Sequence, residues 1–436
     1  MCGDSDVDDG EDCDDGNMVN GDGCDDDCSF SSGAAALALG LDHSCALLHS
    51  GTVRCWGRGG MGELGHASTS NIGGMPDNQA TDALDIDLGG IAVELVAGGR
   101  HTCARLEDAS IRCWGDNSNG QLGYGTTDPV GDDETPNMAG PVPVGDPVVG
   151  LAAGGQHTCA LLDSGMIRCW GDSESGQLGQ GGLMDLGDDE PASTITPFDI
   201  DPDADVTMLA AGDQHSCALL DNGAVHCWGR NTSGQLGLGN TDAVLDPTMT
   251  VSVKLIGSMA EQITAGTEYT CAKVQAEMGN ESHVQCWGFG DSGRLGYGNS
   301  LNIGDDEQVI AAGLVSVGEQ IASISVNDAH TCVVLANSEN GLCWGSGNSG
   351  RLGHGNELSI GESETPDQVG AIELPGATPV VSVVAGGRHS CAIQQNGAVV
   401  CWGSAEFGQL GYGSTEPVGD DEEPKDVDDL AFLLEP

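Results

Sequence analysis

The sequence predicts an all-β chain: a seven-bladed β-propeller of four-stranded antiparallel blades, preceded by a small disulfide-rich N-terminal module. Three observations predict it. A segment ending in Cys-Trp-Gly returns seven times at a period of 54 to 61 residues, and each copy is followed by a G-x-L-G tetrad. Glycine is abundant at 70 of 436 residues, whereas aromatics make up 4%. So regular a period marks repeated supersecondary units, and that glycine content suits tight turns and small-residue packing.

The chain divides at a change of composition. Residues 1–32 are an acidic, cysteine-rich module and linker, and residues 33–436 hold the repeats. Cys2, Cys13, Cys24 and Cys28 allow three disulfide pairings, among which sequence does not choose. Asp4, Asp6, Asp8, Asp14, Asp15 and Asp22 crowd around them as candidate calcium ligands. Their register is not that of an EF-hand, because Gly10 follows Asp4 by six positions rather than five.

Within a repeat, the first copy reads HSCALLHSGTVRCWG from His43. Two short strands flank His49-Ser50-Gly51, a turn whose glycine suits a left-handed position. Pairing outward from that turn sets Cys45 opposite Cys55. The same count opposes Cys103 to Cys113, Cys159 to Cys169, Cys217 to Cys227 and Cys391 to Cys401. Cys332–Cys343 and Cys271–Cys286 are spaced by eleven and fifteen residues, which a longer turn absorbs. Opposed cysteines on a hairpin approach disulfide distance. A zinc site needs four ligands, each unit offers three at most, and Tyr269 stands where the fifth histidine would be. A redox site would be one special pair, so the seven pairs read as structural staples. The histidine of each unit reads as a repeated strand-to-loop hydrogen bond, and the tryptophan as core packing between blades.

A short strand such as residues 148–156 precedes each hairpin, and an outer strand such as residues 141–145 follows the acidic loop. The last unit ends in an outer strand without a hairpin, so Leu430 to Leu434 are expected to pair into the blade begun near Ala34 and close the ring.

Charge sets the partners. Sixty-eight acidic residues against thirteen basic give a formal net charge of −55. Such a surface repels phosphate backbones, which excludes nucleic acid, and serves solubility. No run approaches the ~18 to 20 apolar residues of a membrane span. Eighteen cysteines point to an oxidising, extracellular or cell-surface location, with a leader expected outside this sequence. After the glycine tetrads, Asp132-Asp133-Glu134, Asp188-Asp189-Glu190, Asp305-Asp306-Glu307 and Asp420-Asp421-Glu422 recur. They read as a solvated acidic rim, or as carboxylates for calcium or a basic partner. No other cofactor is expected.

The pattern H-[ST]-C-A-L…G…V-x-C-W-G…G-Q-L-G resembles the regulator of chromosome condensation repeat over about residues 34 to 436. That resemblance implies a seven-bladed propeller. Eukaryotic members of that family exchange nucleotide on a small GTPase and bind chromatin. Bacterial members include a secreted β-lactamase inhibitor protein that binds with one propeller face, and that compartment suits the cysteine content better. Residues 2–28 resemble a cysteine-rich repeat of secreted bacterial proteins. The chain carries no G-x-S-x-G elbow, phosphate loop or H-E-x-x-H helix. The expected role is therefore a monomeric, non-catalytic binding propeller for a protein or glycan ligand. Two alternatives stand beside it: an extracellular enzyme acting on polysaccharide or peptide through irregular residues on one face, and a nucleotide-exchange factor.

Overall fold

The computed structural model describes residues 33–257, 259–275 and 281–430. The N-terminal cysteines, the aspartates around them and Leu434 lie outside the described residues. So do residues 276–280 of the long fifth turn.

Seven antiparallel sheets follow one another, each of three strands. The first is Ala34–Leu39, His43–Leu48 and Val53–Gly57. The second is Ala92–Ala97, His101–Leu106 and Ile111–Gly115. Val148–Ala153, His157–Leu162 and Ile167–Gly171 make the third, and Val206–Ala211, His215–Leu220 and Val225–Gly229 the fourth. Met259–Ala265, Tyr269–Gln275 and Ser282–Gly288 follow. Ile321–Val326, His330–Leu335 and Gly341–Gly345 form the sixth, and Val380–Ala385, His389–Gln394 and Val399–Gly403 the seventh.

The expected fourth strand is reduced to point contacts. Phe198, Val315 and Leu430 each form one isolated bridge, to Ile167, Val284 and Val399. In the second unit Val142 donates one backbone bond to Ile111, 3.0 Å away. The adjoining Pro143 has no N–H to extend such a ladder. Leu430 also corrects the expected closure. Its partner Val399 belongs to its own seventh sheet and not to the one begun at Ala34, while the rest of the expected closing segment, residues 431–434, lies outside the described residues.

Four hairpin turns place a glycine third at positive φ, Gly51 (76°), Gly165 (80°), Gly223 (77°) and Gly397 (77°). In the second unit Ala109 occupies the same place at φ 64°. Every first strand carries a bulge, leaving Ala35, Val93, Val149, Thr207, Glu261, Ala322 and Val381 without a register partner and exposed. The core lies between sheets, where all seven tryptophans are fully buried. Among the described residues, no helix is long and apolar enough to cross a membrane.

Candidate functional site

The cysteines are joined within each hairpin, Cys45 to Cys55 at a Cα separation of 4.1 Å and Cys271 to Cys286 at 4.0 Å. Cys103–Cys113, Cys159–Cys169, Cys217–Cys227, Cys332–Cys343 and Cys391–Cys401 are joined likewise. With both sulfurs committed to each other, the neighbouring histidine does something else.

It latches its sheet to the next one. His43 Nε2 lies 2.9 Å from the Thr102 hydroxyl, and His101 Nε2 lies 2.9 Å from that of Thr158. His157 meets Ser216 at 2.8 Å, His215 meets Thr270 at 2.8 Å, and His330 meets Ser390 at 2.8 Å. The Thr158 hydroxyl in turn donates to the Gln121 carbonyl at 2.8 Å, and Trp170 Nε1 donates to that same oxygen at 2.9 Å. Since the hydroxyl spends its proton on the carbonyl, it accepts from the histidine, which fixes the Nε2–H tautomer. Tyr269 replaces histidine in the fifth unit and donates to the His330 carbonyl at 2.5 Å. The expected strand-to-loop bond is thus a bond between sheets. A histidine on a sheet face looks toward the neighbouring sheet, not its own loop. Burial holds the rings of His43, His157, His215 and His389 down to about 3 and His101 to about 4, so they are neutral.

The first strands surround a central channel of about 490 Å³. Its lip at one end is made by the loops that precede each histidine. There Leu41 N donates to Gly99 O at 3.0 Å, Gly155 N to Gly212 O at 3.1 Å and Gly387 N to Gly40 O at 2.9 Å. Glycine is required before the histidine ring: a Cβ on Gly154 would meet His157 Cε1 at 2.2 Å and Gly212 O at 2.4 Å. The sixth unit has Asn327 in that place, and its amide reaches across the opening to Leu39 O at 3.2 Å. Beside it side chains replace the backbone bond, Thr267 Oγ1 donating to Asp328 Oδ1 at 3.1 Å and Arg351 to Gly387 O at 3.0 Å.

Six of the thirteen basic residues gather at this end: Arg58, Arg100, Arg230, Arg294, Arg351 and Arg388. Five are engaged. Arg58 faces Asp42 at 3.5 Å and Glu63 at 3.7 Å, Arg230 pairs with Glu268 at 3.1 Å, and Arg388 faces Asp42 at 3.8 Å. Arg351 faces Asp328 at 3.4 Å, and Arg294 lies over Phe289 at 4.9 Å while donating to Asp328 O at 3.2 Å. Arg100 lines the channel and is exposed, and its charge acts on the buried carboxyl of Glu63.

Farther out, at the same end of the sheets, stand the acidic loops. In each of Asp132-Asp133-Glu134, Asp188-Asp189-Glu190, Asp305-Asp306-Glu307 and Asp420-Asp421-Glu422, three carboxylate oxygens lie within 4.8 Å of one another. Each loop rests on the glycine turn of the preceding unit: a Cβ on Gly120 would meet Asp188 N at 2.4 Å. Burial and the adjacent aspartates push the Glu134 carboxyl up to about 7 and raise those of Glu190, Glu307 and Glu422. The sequence reading found these loops and the cysteines, but missed Arg100 and Asn327. Aligning the residues just before each histidine would have exposed Asn327, the one side chain in a row of glycines; Arg100 stands at a position that also holds Asp42, Glu268 and Arg388.

The RCC1-like domain model matches residues 25–308, and the regulator of chromosome condensation repeat matches residues 342–393 and 380–409. The ultraviolet-B receptor UVR8 of Arabidopsis thaliana is 30% identical over 320 residues, covering 73% of this chain and 66% of the receptor. Human E3 ubiquitin-protein ligase HERC2 is 26% identical over 373 residues, 83% of this chain but 7% of the ligase. This chain therefore spans less than two thirds of the length of either. The solved structure of yeast RCC1 (Prp20) bound to Kap60 shares the fold, with a TM-score of 0.64 at 20% identity, over 90% of this chain and 85% of that one. Seven sheets in sequence order, one staple in each and a family match over most of the repeats lead to one assignment: this chain belongs to the RCC1-like domain family of seven-repeat propellers.

Proposed function

We propose that this chain is a non-catalytic binding propeller of a secreted or surface-attached bacterial branch of its family, carrying a small cysteine-rich module in front. One observation carries the reading. The polar residues that recur in every unit are buried and spent on holding sheets together, which leaves the lip loops and the acidic rim as the surface that varies and faces solvent. Relatives support a binding role: yeast Prp20 is described with Kap60 and with binding to Gsp1p and histones, and UVR8 is a receptor. The ligase activity of HERC2 is not carried over, since the match spans 7% of that protein. Seven buried disulfides support an oxidising compartment. The ligand is a protein or glycan, and the acidic rim adds affinity for a divalent cation such as calcium or for a basic surface.

Mass spectrometry of protein from an oxidising host, with and without chelator, tests this. The expected result is a deficit of about 2 Da per bridge with no free thiol, and chelator-sensitive calcium adducts. Free thiols in the native secreted material would overturn the compartment, and adduct-free spectra in excess calcium would remove the cation from the rim.

A further inference from the structure

We propose that the end of the sheets opposite the lip carries a second interaction surface, an apolar arc set among acidic turns, which fits a partner polypeptide with an aliphatic tip flanked by lysine or arginine. This surface is separate from the lip loops and the acidic rim. The bulge in every first strand builds it. Each first strand starts against the hairpin turn of the preceding unit. Ala92 N donates to Gly51 O at 2.9 Å, Val148 N to Ala109 O at 3.1 Å and, across the seam, Ala34 N to Gly397 O at 3.2 Å. The bulged residue comes directly after that bond, as Val93, Val149 and Ala35 do here. First strands of successive units pack against one another, the seventh against the first included, so the bulged residues form a circle at the turn end.

Around that circle the side chains change character once. From the sixth unit through the seam to the third they are Ala322, Val381, Ala35, Val93 and Val149, and all are exposed. Val381 is 59% exposed, Val149 44% and Val93 43%, and Ile91, just before the second unit's strand, is 53% exposed. The bulge itself does not ask for an apolar residue, because Thr207 and Glu261 occupy it in the fourth and fifth units. Strand propensity does not account for the arc either: alanine is depleted in strands, and Ile91 lies outside one. A contiguous apolar arc on so charged a chain marks a contact surface. The turns beside it carry Glu107, Asp108, Asp163 and Glu339, all exposed. Nearby basic side chains are already spent, Arg105 on Glu94 at 2.7 Å, Arg168 on Asp146 at 3.3 Å and Lys273 on Glu261 at 3.2 Å. That field selects the occupant. A second copy of this chain would set acidic turns against acidic turns, and an anionic lipid surface is repelled in the same way. An aliphatic tip covers the valines, and flanking cations meet the turn carboxylates.

Titration calorimetry of the full chain in about 0.15 M salt tests the assignment with three peptides. The first carries Leu-Val-Leu between two pairs of lysines, the second replaces its three apolar residues by serine, and the third replaces its lysines by glutamate. The first is expected to bind, the second about tenfold more weakly, and the third not at all. The double variant Val93→Ser with Val381→Ser is expected to weaken the first peptide about tenfold and to leave the second unchanged. It keeps the fold, since Thr207 and Glu261 show that the bulge accepts a polar side chain. Asp132→Asn with Asp133→Asn, on the rim at the other end, is expected to leave the preference for the first peptide over the second intact. Four outcomes overturn the proposal: no peptide binding at millimolar concentration, equal binding of the first two, a double variant that binds the first peptide as before, or a preference that disappears with the rim aspartates. A concentration-dependent dimer in sedimentation velocity, lost in the double variant, would also overturn it by making a second copy the occupant.

Discussion

The Ser44 hydroxyl lies 2.7 Å from His389 Nε2, although 345 positions separate the two residues. It also donates to Gln409 O at 2.8 Å, and Trp56 Nε1 reaches the same oxygen at 2.9 Å. The first and seventh units are thus joined by the same latch that joins other neighbouring pairs, as at Thr158 and Ser216.

Ser44→Ala leaves the buried His389 N–H without an acceptor and Gln409 O with one donor fewer. The expected cost is about 1–3 kcal/mol, read as a lower denaturation midpoint. Ser50→Ala, on an exposed turn, is expected to be nearly silent. Equal effects of the two changes would mean that the seam latch contributes nothing.

Acid should destabilise the fold through the latches. A histidine whose folded pKa lies near 3 or 4 against an unfolded value of about 6.5 contributes stability that is complete above 6.5 and declines as pH falls toward the folded value. Each such ring contributes a slope of up to about 1.4 kcal/mol per pH unit. Glu134 acts oppositely: raised to about 7, it favours the fold below the ordinary carboxylate range and loses that contribution as pH rises through 7. Melting temperatures are expected to fall between pH 6.5 and 4.5, and His215→Gln should flatten that slope by one proton. A slope unchanged in His215→Gln would show that the ring is not neutral in the fold.

Ala109 sits at φ 64° in the turn where most units carry glycine. A left-handed conformation costs a residue with a Cβ about 1–2 kcal/mol. Ala109→Gly is therefore expected to raise stability by about 1 kcal/mol, measured by equilibrium denaturation.

Gly154→Ala should do the reverse. Its Cβ would lie 2.2 Å from His157 Cε1 and 2.4 Å from Gly212 O, so either the latch ring or the lip must move. Overpacking of this kind costs about 1–3 kcal/mol. Gly182→Ala, where a Cβ meets nothing within 4 Å, is the control. Similar midpoints for the two variants would place the lip outside the stable core.

How much of this was legible in advance depends on distance along the chain. Cys45 and Cys55 face each other because one turn fixes the register, and a ten-residue count suffices to see it. The fourth strand was not legible, because alternating apolar residues around Pro143 look like a strand while offering too few N–H groups for a ladder. The role of His43 was half legible. Its acceptor Thr102 is the residue that directly follows the next histidine, so the H-[ST]-C pattern holds both ends of the latch, but only sheet-against-sheet packing shows that they meet. Asn327 breaks the repeat, and a reading built on regularity passes over what breaks it.

The seam between first and seventh sheets has a topological consequence. Leu430 bridges Val399 within its own unit, so no described strand is lent across the seam, and among the described residues the ring is held there by contacts of the kind found at the other histidine-latched junctions. The order in which the chain visits the units is then immaterial to the circle they form. A circularly permuted chain, opened in the exposed segment at Leu183 and Met184 and rejoined beyond Leu430, would keep all seven junctions and all seven staples.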